Sequence, residues 1–403
     1  MNIKISASII LIFIFSFNVY SRKLMLSRDY YKPIIDKQCW FKIQPLAQIL
    51  KNNITVQCYK CLEKIPYNFK PFPPSNLYPH QGLCSDCFIL NIPNGRAQGK
   101  EGNVFVNGLI IDEMIWQGLF QPLVIIPKIS EDKIIKISGR VAVIAQPLYE
   151  YYFHWIQDIL GRLALIEMHG IEYDYIYVPC AKKFMKEALE LWGIDSTKII
   201  IPDDENFCIQ ADELIVPSYV VNRNQGFNKY AGFHQNLLTT QYVSQKLIKA
   251  AQDRNIDTSR FCKRIFVSRK DAPKRKILNE DEIFKLFEAK GFISYELSKL
   301  SVAEQIMLFN QAEMVVGEHG AGMTNCLFCK SGTKVIEIFQ ELIDSGPWWI
   351  TQVMGLNYSC IKTVKVDADY FAHFTLKAEI YTKAWKSNRY VSIEEVKKVI
   401  EKL

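Results

Sequence analysis

The sequence predicts an α/β fold: two Rossmann-type domains facing a central cleft, with an irregular, cysteine-containing N-terminal region ahead of them. Three observations carry this expectation. From about Gly139 onward, short β-branched strands alternate with helices, the grammar of a parallel sheet covered on both faces. After a polar linker, Gln252 to Ser259, the alternation begins again. Within the second block an apolar strand, Met314 to Val316, breaks into Gly317-Glu318-His319-Gly320-Ala321-Gly322-Met323-Thr324-Asn325 before strand resumes at Val335–Phe339. Open parallel sheets bind ligands beyond the carboxyl ends of their strands, so such a turn belongs where a cleft would lie.

In chain order, the first block opens with a β-branched strand, Arg140 to Ala145. A helix over Phe153 to Met168 follows, with Trp155, Ile159, Leu163 and Ile166 along one face. Tyr173 to Val178 reads as strand, and Lys182 to Trp192 as a helix that Gly193 terminates. Strands at Lys198–Ile201 and Glu213–Val216 and a long helix, His234 to Ala251, complete it. In the second block Arg264 to Ser268 is strand, and Asn279 is expected to cap a helix to Lys290 with Glu280 and Glu282 in its first turn. Phe292 to Leu297 is strand. Ser301 with Glu304 makes a capping box. A helix over Met323–Phe328, a strand at Tyr358–Val366 and a capped amphipathic helix from Ser392 to Ile400 follow the glycine turn. Before these blocks come a Pro-rich loop, Pro66 to Pro79, and short strands at Val104–Val106, Leu109–Ile111 and Leu123–Ile126. The expected divisions are 1–21, 22–105, 106–255, 256–370 and 371–403.

A chain of 403 residues suits two or three domains, and 49% hydrophobic residues suffice for their cores. Mean hydropathy near zero excludes a polytopic membrane protein. The net charge of +7 suits an anionic small ligand as well as nucleic acid and does not choose between them. At the N-terminus Lys4 precedes an uncharged apolar run, Ile5 to Phe17, with Val19 and Ser21 in a small-x-small arrangement. This reads as a signal peptide cleaved after Ser21, or as a signal-anchor, and so as a secretory or membrane-anchored protein. A buried N-terminal element in a cytoplasmic protein is the alternative.

Of eleven cysteines, four form two CxxC pairs, Cys58/Cys61 and Cys84/Cys87. Paired knuckles suit a structural zinc ion held tetrahedrally, with no open position for catalysis. In an oxidising compartment the same four would form disulfides. Zinc is placed ahead. Cys326, Cys329 and Cys360 read as buried thiols.

Three constellations could carry chemistry. The glycine turn offers backbone N–H groups to a diphosphate, with Thr324 and Asn325 as side-chain contacts, or it is simply a tight strand–helix junction. Arg269 and Arg275 lie beyond the end of the Arg264–Ser268 strand, where guanidinium forks match phosphate oxygens; Lys270, Lys274 and Lys276 read as solvated. Nucleic-acid binding is disfavoured because that loop lacks interleaved aromatics. His154 and Asp158, at i and i+4, share a helix face, with Arg162 one turn on. They suit a base with a supporting carboxylate, or a plain capping or core pair. Asp203-Asp204-Glu205 reads as a solvated turn.

These stretches together resemble the family-61 glycosyltransferases. The matching segments are Tyr152-Phe153-His154-Trp155-Ile156-Gln157-Asp158-Ile159-Leu160-Gly161-Arg162, Arg264 to Arg269, Arg275 to Glu280, and Gly317 to Asn325 followed by Val335-Ile336-Glu337. Gly161, Glu318 and Met323 depart from the family pattern, and the CxxC pairs lie outside it. The resemblance implies a GT-B architecture and inverting transfer of a hexosyl or pentosyl group from a nucleotide sugar, commonly a UDP-sugar, to a glycan or glycoprotein hydroxyl. It implies His154 or Asp158 as base, with Trp155 and Arg162 on the acceptor side or in support. Donor contacts would be Arg269, Arg275, His319, Gly320, Ala321, Gly322, Thr324, Asn325 and Glu337, the last on ribose hydroxyls. Cationic side chains would replace a catalytic metal, and no nucleic-acid partner is implied. A catalytically inactive glycan- or nucleotide-binding protein on the same fold, and a nucleic-acid-binding zinc-ribbon protein, are the rival readings.

Overall fold

The computed structural model describes residues 40–403 apart from 53–55, 64, 72–80, 85, 116–125, 222–234, 274, 340–344, 363–387 and 389. The N-terminal apolar run, most of the Pro-rich loop, nearly all of the Leu123–Ile126 strand, the His234 start of the long helix, Lys274 and the 363–366 end of the last strand lie outside the described residues. Among the described residues no helix is long and apolar enough to cross a membrane.

The N-terminal region supplies strands β1 (Lys42–Gln44), β2 (Gln57–Leu62), β3 (Pro66–Asn68), β4 (Gln81–Leu83), β5 (Cys87–Pro93), β6 (Arg96–Gln98), β7 (Asn103–Val106) and β8 (Leu109–Ile111), with helix α1 (Leu46–Lys51) after β1. The first block follows with β9 (Ile135–Val143), helix α2, β10 (Tyr175–Tyr177), α3 (Lys183–Trp192), β11 (Ile199–Ile200), β12 (Cys208–Pro217) and α4 (Leu237–Gln252). Helix α2 has three consecutive stretches: α-helical Tyr152–His154, π-helical Trp155–Ile159 and α-helical Leu160–Met168.

Strands β12, β9, β10 and β11 lie side by side and parallel, as the alternating pattern predicts. The region expected to be irregular differs from that reading. β5 and β6 pair antiparallel with the free edge of β12, and β2, β7, β8 and β1 extend the sheet to ten strands. The 105/106 division therefore runs through β7. The strands were hard to read because they are short and broken by Pro, Gly and Cys, and β5 is buried on both faces, with Cys87 and Ile89 in one core and Leu90 and Ile92 in the other.

The second block contains β13 (Arg264–Val267), α5 (Glu280–Glu288), β14 (Ile293–Tyr295), α6 (Val302–Asn310), β15 (Met314–Glu318), a 3₁₀ helix over Ala321–Phe328, β16 (Lys334–Phe339), α7 (Gly346–Val353), β17 (Asn357–Lys362) and α8 (Ile393–Ile400). Its five strands are all parallel in the order β14-β13-β15-β16-β17. Chain order thus reverses between β13 and β15, which makes their carboxyl ends the crevice where such sheets take ligands. In the first sheet the corresponding reversal lies between β9 and β12.

Local signals behave as their chemistry dictates, with one exception. Gly193 ends α3 in the left-handed region at φ 89°. Ser301 and Glu304 form the capping box of α6. Asn279, expected to cap α5, makes no such bond. Its amide is paired both ways with Val391, donating to the carbonyl oxygen at 2.9 Å and accepting from the N–H at 3.0 Å.

Strand alternation builds the cores. Ala142, Ile144 and Ile176 of the first sheet and Ile265, Val315 and Val335 of the second point toward one another and share a single apolar cluster. Trp155 and Leu163 of α2, Leu247 of α4 and Ile306 of α6 fill the space between. Val141, Val143 and Tyr177 face a separate core on the outer side of the first sheet, and Phe266, Val316 and Ile336 do the same on the second. Each Val, Leu, Ile or Phe among them, fully buried, contributes about 1.5–3 kcal/mol of transfer free energy. The two sheets are therefore joined through a common helical layer, and the start of α2 rests on the 3₁₀ helix that follows β15.

Candidate active site

His154 lies in the first turn of α2, after β9 has ended. Its Nδ1 is 2.6 Å from Asp158 Oδ2. The π-helical widening covers the residues from Trp155 through Asp158 itself, a backbone irregularity often found at working sites. Asp158 is wholly buried, and His154 keeps 8% of its surface. A carboxylate can only accept, so Nδ1 is the donor of this pair, and in the tautomer that this bond selects Nε2 is the acceptor atom.

The glycine turn leaves β15 at the reversal point of the second sheet. Gly317 is required by packing: a Cβ there would stand 2.6 Å from Met323 Sδ and 2.9 Å from Val267 Cβ. Gly320 is required by the arginines. Its φ of 155° is hospitable to glycine, and a Cβ would meet Arg269 Nη1 at 2.5 Å and Arg275 Nη2 at 3.3 Å. Two guanidinium groups thus converge on one backbone position. Arg269 Nε is held 2.9 Å from Glu318 Oε2 and 3.0 Å from the Arg275 carbonyl oxygen. Arg275 Nη1 reaches the His319 carbonyl oxygen at 3.4 Å. Glu280 accepts from Arg269 N at 3.0 Å and from Ser268 Oγ, so this first-turn acid of α5 also latches the end of β13.

His319 is buried, with Nδ1 2.6 Å from Glu337 Oε1; the other carboxylate oxygen accepts from the Tyr358 hydroxyl at 2.5 Å. Burial and the Glu337 charge hold the Tyr358 hydroxyl well above its usual range, so it stays protonated as a donor. Glu337, expected to face a ribose, is fully buried and turned onto His319 and Tyr358.

The two halves meet directly. The Tyr152 hydroxyl donates to Asn325 Oδ1 at 2.8 Å, and Asn325 Nδ2 donates to Gln305 Oε1 at 3.0 Å. The start of α2 is therefore seated on the 3₁₀ helix that follows the glycine turn.

Residues 152–336 match the family model of glycosyltransferase 61. That segment begins at Tyr152 and takes in His154, Asp158, both arginines and the whole glycine turn. A rice (Oryza sativa subsp. japonica) alpha-1,3-arabinosyltransferase is 32% identical over 100 residues, which cover 21% of this chain and 16% of that relative's length.

Within the glycosyltransferase 61 segment, the other expected residues fall into distinct places. Arg162 is fully buried and spans the reversal point of the first sheet. Nη1 donates to the Ala145 carbonyl oxygen at 2.5 Å, while Nε and Nη2 reach that of Pro217 at 3.1 and 2.7 Å. It ties the loop after β9 to the end of β12, and burial lowers its guanidinium to about 10. Trp155 is core, edge-on to Phe184. Thr324 is fully buried, and its Oγ1 has no hydrogen-bond partner among the described residues. Gly322 packs against Val267 and Leu297, and Ala321 opens the 3₁₀ helix.

Outside the segment, Cys58, Cys61, Cys84 and Cys87 were expected to hold zinc; among the described residues no three His, Cys, Asp or Glu side chains are gathered so as to hold an ion. Cys58 and Cys61 sit on β2 at an odd spacing, so Cys58 packs on the outer core and Cys61 on the inner one. Cys84 packs with Tyr67, Trp348 and Trp349. No disulfide joins the described cysteines. Burial pushes the Cys61 thiol to about 11 and that of Cys87 to about 12.

Sequence reasoning missed Tyr152 as a polar contact, and missed Gln146, Gln235, Gln305 and Tyr358. Tyr152 stood inside a quoted motif. The glutamines and Tyr358 carry no local signal, because their partners lie on other elements.

Proposed function

We infer that this chain is an inverting glycosyltransferase that moves a sugar from a nucleotide sugar to a hydroxyl of a glycan or glycoprotein acceptor, on a GT-B-like pair of α/β units. The observation that carries the reading is the Tyr152–Asn325 hydrogen bond, which sets the His154–Asp158 pair beside the turn where Arg269 and Arg275 converge on Gly320. A general base and a cationic anion cradle at adjoining strand ends are what a displacement at an anomeric carbon needs.

In this reading His154 Nε2 takes the proton of the acceptor hydroxyl while that oxygen forms the new bond to the anomeric carbon. The bond from that carbon to the diphosphate oxygen breaks, and its electron pair leaves with the nucleotide. Asp158 stabilises the imidazolium that results. Arg269, Arg275 and the N–H groups after Gly320 take up the charge of the departing phosphate. Because fixed cations fill that role, turnover is expected to survive a chelator. Asp158 itself, buried and already accepting from His154, is the supporting carboxylate and not the base. Ala321, Gly322, Thr324 and His319 line the donor side.

The test is incubation of the full chain with a panel of nucleotide sugars, UDP-sugars first and a UDP-pentose among them, since the rice relative is described as an arabinosyltransferase. Nucleotide release is followed with and without chelator and with glycan acceptors. Release from one donor, unaffected by chelator, is the expected result. Tight nucleotide binding with no release under any condition would mark a binding protein and overturn the reading.

A further inference from the structure

Two carboxamides close on Asp158 from separate segments. Gln146, in the loop after β9, places Nε2 3.2 Å from Oδ2; Gln235, just ahead of α4, places Nε2 3.0 Å from Oδ1. With His154 Nδ1 on Oδ2, the buried carboxylate has three donors. All three acidic and amide side chains are shut off from solvent. A carboxylate without water keeps its charge only where donors replace the water. Arg162 shares an electrostatic interaction with Asp158, but the hydrogen bonds of its Nε, Nη1 and Nη2 go to the carbonyls of Ala145 and Pro217. Both amides turn their NH₂ groups to Asp158 at the expense of their own oxygens. Gln146 Oε1 and Gln235 Oε1 are buried with no hydrogen-bond partner among the described residues. The two amides that touch Asp158 are neutral donors and leave its oxygens available to the imidazole.

We propose that Gln146 and Gln235 are positioning residues that hold Asp158 aimed at His154 Nδ1, fixing the ring in the Nδ1–H tautomer with Nε2 as the acceptor. This rests on the reading of His154 as the base, and its test separates the two. Gln146→Met and Gln235→Met keep side-chain length and remove the donor. In the full chain, nitrogen-15 NMR of the neutral His154 ring is expected to report the Nδ1–H form alone in the parent and a mixture with the Nε2–H form in each variant. kcat/KM is expected to fall at least about tenfold, mainly through kcat, because the glycine turn is untouched. If a methionine variant does not fold, Gln146→Asn and Gln235→Asn, which retract the amide, carry the same expectation. An unchanged single tautomer in the variants overturns the proposal whatever the activity. A tautomer mixture in a chain whose parent releases no nucleotide supports the positioning role and overturns only the catalytic reading.

Discussion

The Tyr152 hydroxyl and the Asn325 side-chain oxygen, 173 positions apart in sequence, are hydrogen-bonded at 2.8 Å, and through them the start of α2 is docked on the glycine turn. Tyr152→Phe deletes this bond and leaves a buried acceptor unpaired. It should cost about 1 kcal/mol, read as a lower urea midpoint at unchanged m-value. The Tyr152 hydroxyl is pushed far above its usual range by burial, so the loss should be the same from neutral pH to mildly alkaline pH. An unchanged midpoint would mean the docking is made elsewhere.

Gly320→Ala should fold yet bind nucleotide poorly. The added methyl competes with Arg269 Nη1 for the same space, and a flexible arginine gives way more readily than the backbone. Loss of one charge-assisted contact predicts at least about a tenfold rise in nucleotide Kd, measurable by calorimetry. Unaltered affinity would place the phosphates away from this turn.

Glu318 and Arg269 form an ion pair with side chains 0% and 12% exposed. Glu318→Ala removes the carboxylate from a largely buried ion pair and should lower stability by about 3 kcal/mol, whereas Arg269→Ala should impair donor binding and rate together. Thermal unfolding of Glu318→Ala within a degree or two of the parent would show that Arg269 finds another partner at no cost.

Glu101 supplies a pH signature away from the site. Burial, then the nearby Glu205 charge, raises its carboxyl to about 7. A carboxyl whose folded value lies above its unfolded one favours the folded state most when protonated. That contribution is full below the unfolded value, is lost as pH rises from the ordinary carboxyl range to about 7, and stays lost above it. Glu101→Gln should flatten this fall in stability between pH 5 and 7, in urea titrations at several pH values; an identical slope in the variant would contradict the assignment.

Much of the second block was legible because its signals are local. The apolar run Met314–Val316, the box at Ser301 and Glu304, and the glycines report the strand, helix and turn that they build. The placement of Arg269 and Arg275 beside the glycine turn was legible for the same reason, since both follow the end of β13. The first sheet was half legible: its parallel strands announce themselves, but β5 and β6 join through antiparallel pairing with β12, more than a hundred residues away, which no local pattern encodes. For Cys58 and Cys61 the i, i+3 spacing that suggests a knuckle falls on β2, where it turns the two side chains to opposite faces. Asn279 misled because Val391 competes for the amide that would have capped α5.

The central claim is that His154, held by Asp158, removes the acceptor proton while the glycine turn holds the donor. Single-turnover rates of nucleotide release by His154→Ala, at saturating donor and acceptor, test it most directly. The expected result is a fall of about 10²–10⁴ in rate with nucleotide affinity retained, and a loss of the same kind in Asp158→Asn. A His154→Ala rate equal to that of the parent would contradict the claim.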